Sequence, residues 1–387
     1  MLSPKQRNSI SITNNVIEHQ SAMNSHCSIM SSPNSNPYLP CFMHRIFCWI
    51  GFIKETNDKI FYRITSNLFK LILIFVNVDN WVIILRGNDP SYLVHSLTLI
   101  GTYVLASGAW YAMYLKRKRF SNLIIKLKEL FLTTNKKHGV IFMFNMCCVP
   151  VVLTMITIVT HYDNYEYFIY GYKIHINPAV LLVVVFKNIL HTFVFPALTN
   201  VIALLYCIMC GHISNSIYQL SQDIIKYSPS NFDASKQVKK IKEITHIEEI
   251  LDAIQNIFSV PTFLIVFANL FTCAHILSLY LKQSNHTVLS YMEWVLYASN
   301  AVSCLIAILW IAGGVAIEER KFKDLFHKKA KLRMLLVESP DEPRLERWLF
   351  DKPDFVFTGW DIISYRRNTV LAVIGALITY TVLIADK

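Results

Sequence analysis

Charge is scarce in this sequence. Only 16% of its 387 residues are Asp, Glu, Lys or Arg, and 53% are hydrophobic. Soluble domains carry about 25% charged residues, so the balance points to an integral membrane bundle with a polar lead. Catalytic signatures are missing as well. There is no Gly-x-Ser-x-Gly and no His-Glu-x-x-His, and the scattered histidines form no recognisable catalytic set. No internal repeat of the kind common in secondary transporters is visible. The first forty residues, rich in Ser, Asn and Pro, contain no apolar run long enough for a signal peptide. They are expected to be disordered, with the N-terminus in the cytosol.

What is present is a series of long apolar runs. A helix needs about 20 apolar residues to cross the hydrocarbon core. Seven stretches qualify: 67–85, 92–115, 140–160, 178–207, 256–281, 290–317 and 366–385. Asn77, Asp79 and Asn80 interrupt the first of them. Lys and Arg divide sharply between the connecting segments. Segments 1–70, 116–139, 208–255 and 318–365 carry thirty, while 86–91, 161–177, 282–289 and the C-terminus carry four. Basic residues collect on the cytosolic side, so the N-terminus is expected inside and the C-terminus outside. The net charge of +11 is thereby explained by orientation, and no nucleic-acid partner is expected. The sequon Asn285-His286-Thr287 falls in a segment assigned to the outside. A conventional G-protein-coupled receptor has the opposite orientation.

None of the nine cysteines lies in an outer segment, so no disulfide framework is expected. Cys207-x-x-Cys210 reads either as half a zinc pattern without its second pair or as small packing residues at a helix end. No cofactor or metal is expected. In 235–258, Val238, Ile241, Ile244, Ile247, Ile250 or Leu251, and Ile254 recur at helical spacing. Phe322, Leu325, Phe326 and Leu332 do the same among the lysines of 318–338. His246 with Glu248 and Glu249 reads as a solvated helix face. The expected organisation is therefore all-α. Residues 1–66 form a cytosolic lead, and 67–317 hold six spans with cytosolic helical extensions at 208–255. Residues 318–365 form a cytosolic anchor layer, and 366–387 are the seventh span.

The C-terminal stretch "FVFTGWDIISYRRNTVLAVIGALITYTVLIADK", residues 355–387, carries an aromatic start, Gly359, Arg366-Arg367, Gly375 and then Thr379-Tyr380 before a run of mostly apolar residues. It resembles the C-terminal signature of the arthropod gustatory receptors, relatives of the insect odorant receptors. That family places Gln-Phe after the apolar run; here the chain has Asp386-Lys387. The resemblance implies a ligand-gated, non-selective cation channel in the plasma membrane of sensory neurons. It implies a tetramer, homomeric or shared with related subunits, opened by a small-molecule tastant. Its pore would be lined by the seventh helix, with a ligand pocket in the outer halves of the second to sixth spans. Two alternatives stand beside it: a secondary transporter, and a non-conducting receptor subunit that needs a co-receptor.

On the last helix Ala372, Ala376, Thr379, Leu383 and Asp386 share one face. That face is small and partly polar, which suits either a pore lining or close packing between helices. By the family pattern Leu383 resembles the hydrophobic gate, and a ring of Asp386 carboxylates would attract cations. The charged end also fits any helix leaving a membrane. Arg366 and Arg367 read as residues snorkelling to the headgroups or facing the inner pore exit. Candidate ligand-binding residues are Tyr92, His95 and Thr98 in the second span, and Lys187, Asn188 and His191 in the fourth. His275 in the fifth and Glu293, Trp294, Tyr297 and Asn300 in the sixth complete the set. Each serves equally as an interhelical hydrogen bond or an interfacial aromatic. A lysine inside a span is costly unless paired, and Glu293 is one candidate partner of Lys187.

Overall fold

The structure, a computed structural model, describes residues 41–53, 60–86, 93–130, 148–160, 169–170, 172, 178–282, 287–336 and 353–385, with the side chains at 41–43, 86, 93–96, 128–130, 282 and 380–385 outside that description. Its elements in chain order are α1 (Cys41–Trp49), α2 (Ile60–Arg86), α3 (Leu93–Leu115), α4 (Arg117–Leu130), α5 (Val149–Thr160) and α6 (Pro178–Thr192). A π-helical turn, Phe193–Leu198, leads into α7 (Thr199–Lys226), and a short turn leads into α8 (Ala234–Lys282). Then come α9 (Val288–Leu336), a hairpin of β1 (Thr358–Gly359) and β2 (Ile363–Ser364), and α10 (Arg367–Ala385). The described residues are thus all-α apart from that hairpin.

Each expected span falls on a helix; for the third, 140–147 lie outside the described residues. Ile60–Leu85, Pro178–Lys226, Ala234–Leu281 and Val288–Leu336 are long and apolar enough to cross a bilayer. Val149–Thr160 and Arg367–Thr379 are shorter apolar stretches. Helix α2 shows how the pattern is used. Phe69, Leu73, Val76 and Asn80 are buried at helical spacing, while Ile64, Leu68, Leu71, Val78 and Leu85 point outward and are exposed. An apolar outward face of this length suits lipid rather than water.

The core runs through α3, α7, α8 and α9. Helices α3 and α8 make the most extensive pair. They approach closely because α3 presents Ala106 and Ala109, both fully buried, and Gly101, where an added Cβ would sit 2.7 Å from the Phe271 ring. The break between α6 and α7 has a local cause. Pro196 cannot donate a backbone hydrogen bond, and Phe195 leaves helical geometry at φ −145°, ψ 125°.

The basic end of the bundle is more continuous than separate extensions and spans imply. Helix α7 runs on to Lys226, α8 runs unbroken from Ala234 through the expected fifth span, and α9 carries 318–336 in one rod with the sixth. Ile244, Ile247, Ile250, Leu251, Ile254, Phe322 and Phe326 are buried there as their spacing predicts, whereas Val238 and Leu332 are exposed. Asp233 caps α8, its carboxylate accepting the Lys236 backbone N–H at 2.9 Å. Glu319 and Lys323 pair at 3.0 Å, both almost fully buried, and Asp354 reaches Lys323 at 3.4 Å. Burial pushes the Glu319 carboxyl up, with Lys323 pulling against it. His246 and Glu249 lie exposed on the outer face of α8.

Candidate functional site

Three polar residues in the middle of an apolar helix should disrupt it. In α2 two of them instead fold back on their own backbone. Asn77 donates to the Leu73 carbonyl at 2.8 Å and to Ser107 Oγ at 2.7 Å, and Asn80 donates to the Val76 carbonyl at 2.9 Å. The third, Asp79, is buried and becomes the centre of a charged cluster. Lys187 Nζ lies 2.9 Å from its Oδ1, and His191 Nε2 lies 2.8 Å from its Oδ2. Lys187 and His191 are one turn apart on α6, so they straddle the two carboxylate oxygens. Tyr170 donates its hydroxyl to Oδ1, and its ring lies 4.2 Å from the Lys187 ammonium. Tyr103 of α3 meets the His191 ring edge-on at 5.3 Å. Asn188 shares this buried face of α6, and its side-chain amide nitrogen has no hydrogen-bond partner among the described residues.

This arrangement corrects one expectation. The carboxylate paired with Lys187 is Asp79, not Glu293. Glu293 is buried on α9 and accepts from Thr157 of α5 at 2.7 Å, with Tyr297 half-buried one turn further on. The other candidates form further pairs. Thr98 and His275 meet at 3.3 Å between α3 and α8. Asn300 accepts from Asn200 at 2.7 Å between α9 and α7. Trp294 lies edge-on to Tyr291 at 5.7 Å. The candidates are thus sorted onto several helix pairs. Tyr92 and Asn285 lie outside the described residues, as does the His95 side chain. Cys207 and Cys210 are both buried in the packed bundle.

Sequence reasoning missed Asp79, Tyr170, Tyr103 and Asn200 as members of these sets. Asp79 had a signal, since a lone carboxylate in one apolar run and a lone lysine in another invite pairing. Tyr170 had none, because no spacing links it to either partner.

The last helix is held by the strand that precedes it. Gln255, Ser259 and Thr262 lie on successive turns of α8 and take three points of the strap 355–366. Thr358 donates its backbone N–H to Gln255 Oε1 at 3.1 Å, Trp360 donates its backbone N–H to Ser259 Oγ at 2.9 Å, and Tyr365 donates its hydroxyl to Thr262 at 3.0 Å. Trp360 and Asp361 adopt left-handed backbone at the hairpin tip. Helix α10 then leaves the bundle with one thin seam. Val370 and Val373 pack on the core, while Leu371, Ala372, Ile374, Gly375, Ala376, Ile378 and Thr379 are exposed. Thr379 turns its hydroxyl to the Gly375 carbonyl at 2.9 Å. Leu383 and Tyr380 lie within α10, but their side chains, like Asp386 altogether, are outside the described residues. Arg367 lies over the Trp310 ring at 4.5 Å.

The seam also fixes a close approach. An added Cβ at Gly313 of α9 would stand 2.8 Å from the Arg367 backbone nitrogen. Backbone cannot rotate away as a side chain can, so Gly313→Ala is expected to push α10 outward. The cost is about 1–3 kcal/mol, the usual range for overpacking. A thermal unfolding scan of the detergent-purified variant checks this, and Gly211→Ala, with open space at its Cβ, serves as control.

No family model matches the chain, and no curated protein matches its sequence. Among solved structures the insect olfactory receptor OR5 from Machilis hrabei superposes with a TM-score of 0.68 at 12% identity, covering 89% of this chain and 97% of that one. The fold is shared with an insect olfactory receptor. The same receptor in complex with eugenol superposes with a TM-score of 0.61 over the same shares. At such identity the likeness is one of architecture.

Proposed function

We propose that this chain is a subunit of a chemosensory, ligand-gated cation channel, opened by a small-molecule tastant. The observation that carries the reading is α10. It is an apolar helix tied firmly at its start, joined to its own bundle by a narrow seam, and exposed on Ala372, Ala376 and Thr379. An apolar helix offering small and hydroxyl side chains outward is left for other copies of itself. Four copies around an axis turn that face into a pore lining, with Leu383 as an apolar constriction and Asp386 as a carboxylate ring at the outer mouth. In this reading the chain crosses the plasma membrane of sensory neurons seven times, with its N-terminus inside. The fold shared with an olfactory receptor, one structure of which holds eugenol, supports a small organic ligand. The buried polar sets on α3, α5, α6, α8 and α9 supply the donors and acceptors such a ligand needs.

Whole-cell recording with a panel of sugars and bitter compounds tests this. A ligand-evoked, non-selective cation current is expected in the wild type. In Asp386→Asn the preference for cations over chloride is expected to fall several-fold, because four carboxylates leave the mouth together. A cation preference identical in the variant removes Asp386 from the selectivity argument. An epitope placed after Lys387 that is reachable only in permeabilised cells overturns the topology itself.

A further inference from the structure

The excess of Lys and Arg at the basic end accounts for how many cations gather there, not for how they are arranged. In the helical layer Lys226, Lys236, Lys240, Arg320, Lys321 and Lys323 each lie within 3.6 Å of a carboxylate oxygen. The joint between α3 and α4 is built differently. Lys70 of α2 donates to the Tyr114 hydroxyl at 3.0 Å, with its ammonium 4.3 Å from the ring centre. Arg117, the first residue of α4, lies over the same ring at 4.5 Å. Two half-buried cations from two helices therefore converge on one phenol. Lys116 and Arg119 stand next to them and bond to Asn256. Burial, and then the nearby Arg119, holds the Lys116 ammonium below its ordinary pKa. Among the described residues none of these four cations has a carboxylate partner.

The phenol is held in place. It stacks on Trp110 at 5.0 Å, and the buried Trp110 donates its indole N–H to the Ile50 carbonyl at 2.9 Å. Its hydroxyl oxygen accepts from Lys70, so its own proton is available to another acceptor. An ammonium, a guanidinium and a hydroxyl thus present donors around one point. Lys70 also donates to Asn67 at 3.3 Å, but half-buried cations whose partners are all neutral keep a cost in free energy that an anion recovers. Beside the cluster the surface is open and apolar, with Leu68 and Leu71 on α2 and Tyr111 and Leu115 on α3 all exposed.

We infer that this joint binds the headgroup phosphate of an anionic phospholipid, whose acyl chains run toward the bilayer interior past Leu71 and Tyr111. The inference rests on reading α2 and α3 as membrane spans. Phosphate offers several acceptor oxygens to the three donors; the net negative charge of an anionic headgroup, which phosphatidylcholine lacks, is what the cations select, and the adjoining apolar surface is what separates a lipid from a free anion.

The test uses the purified full-length protein in detergent and measures retention of fluorescent phosphatidylserine against fluorescent phosphatidylcholine. The wild type is expected to prefer phosphatidylserine. Lys70→Gln with Arg117→Gln is expected to cut that preference about thirtyfold, two cations at the usual strength of one basic residue near an anionic leaflet. Tyr114→Phe keeps the ring under both cations but loses the hydroxyl that Lys70 bonds to, and is expected to cut it several-fold. Lys328→Gln with Lys331→Gln, two exposed cations on α9, is expected to leave it unchanged. Wild-type preference in the Lys70 and Arg117 double variant or in Tyr114→Phe overturns the proposal, as does an equal loss in the α9 control. Full displacement by millimolar inorganic phosphate also overturns it, by making the site one for a free anion. Because the assay reads lipid and not current, a silent channel that still selects phosphatidylserine leaves this site standing and counts only against the channel reading.

Discussion

Asp79→Ala is expected to destabilise the protein by about 3–5 kcal/mol, the usual cost of removing one partner from a buried ion pair. The Asp79 side chain has no exposed surface, and that of Lys187 retains only 8%. With the carboxylate gone, the Lys187 ammonium keeps the Tyr170 ring at 4.2 Å but loses the carboxylate 2.9 Å from it. A ring face returns a fraction of an ion pair. His191 and Tyr170 lose their acceptor in the same step. The measurement is the thermal midpoint of the detergent-purified protein, read with its monodispersity. The control separates charge from shape. Asp79→Ala combined with Lys187→Met removes both charges and is expected to recover most of the loss, since replacing a whole buried pair with apolar groups is often neutral. A double variant no more stable than Asp79→Ala alone would show that the pair is not what the bundle misses. The effect should reach beyond α2, because this cluster joins α2, α6 and the segment carrying Tyr170.

Tyr365→Ala is the second large effect, at about 3–5 kcal/mol for emptying a buried aromatic site. Tyr365 is 1% exposed and is the last fixed point before α10. Its hydroxyl reaches Thr262, and its backbone N–H donates to the Phe357 carbonyl at 2.7 Å, closing the strap on itself. Glycine at 359 is what lets this ring lie where it does, since a Cβ there would stand 2.4 Å from the Tyr365 hydroxyl. Removing the ring leaves Gln255 and Ser259 still holding the strap, so α10 stays attached but loses its exact start. Tyr365→Phe keeps the volume and drops one hydrogen bond, at about 1 kcal/mol. Thermal midpoints should therefore rank wild type, Tyr365→Phe and Tyr365→Ala in that order, with the larger step second. In recordings Tyr365→Ala is expected to shift ligand sensitivity while Tyr365→Phe changes it little. Equal losses in the two variants would mean that the hydrogen bond, and not the packed ring, sets the position of α10.

The two effects differ in how far a reader of the sequence could have anticipated them. Asp79 and Lys187 were each conspicuous as charges in apolar runs, yet the one candidate partner named for Lys187 was Glu293. Spacing along one helix says which residues share a face; it does not say which neighbour that face will meet. The strap was conspicuous only as an aromatic-rich stretch before the last helix. That Gln255, Ser259 and Thr262 would bind it follows from their sharing one side of α8, but only the docked chain selects that side. Apolar periodicity likewise placed Ile244, Ile247 and Phe326 in a core without telling that Val238 and Leu332 would fall outside it.

By itself the sequence determined that the chain is helical and which of its stretches are long and apolar. Those properties depend on backbone hydrogen bonding and on local hydrophobic period, and both are written in consecutive residues. Only the tertiary structure decided which polar groups meet inside the bundle, which glycines lie against backbone, and that α10 stands out from the rest of the bundle. Each of these is a contact between segments separated by anything from 30 to 177 residues. Geometry at that range is set by how whole helices pack, so no local pattern carries it.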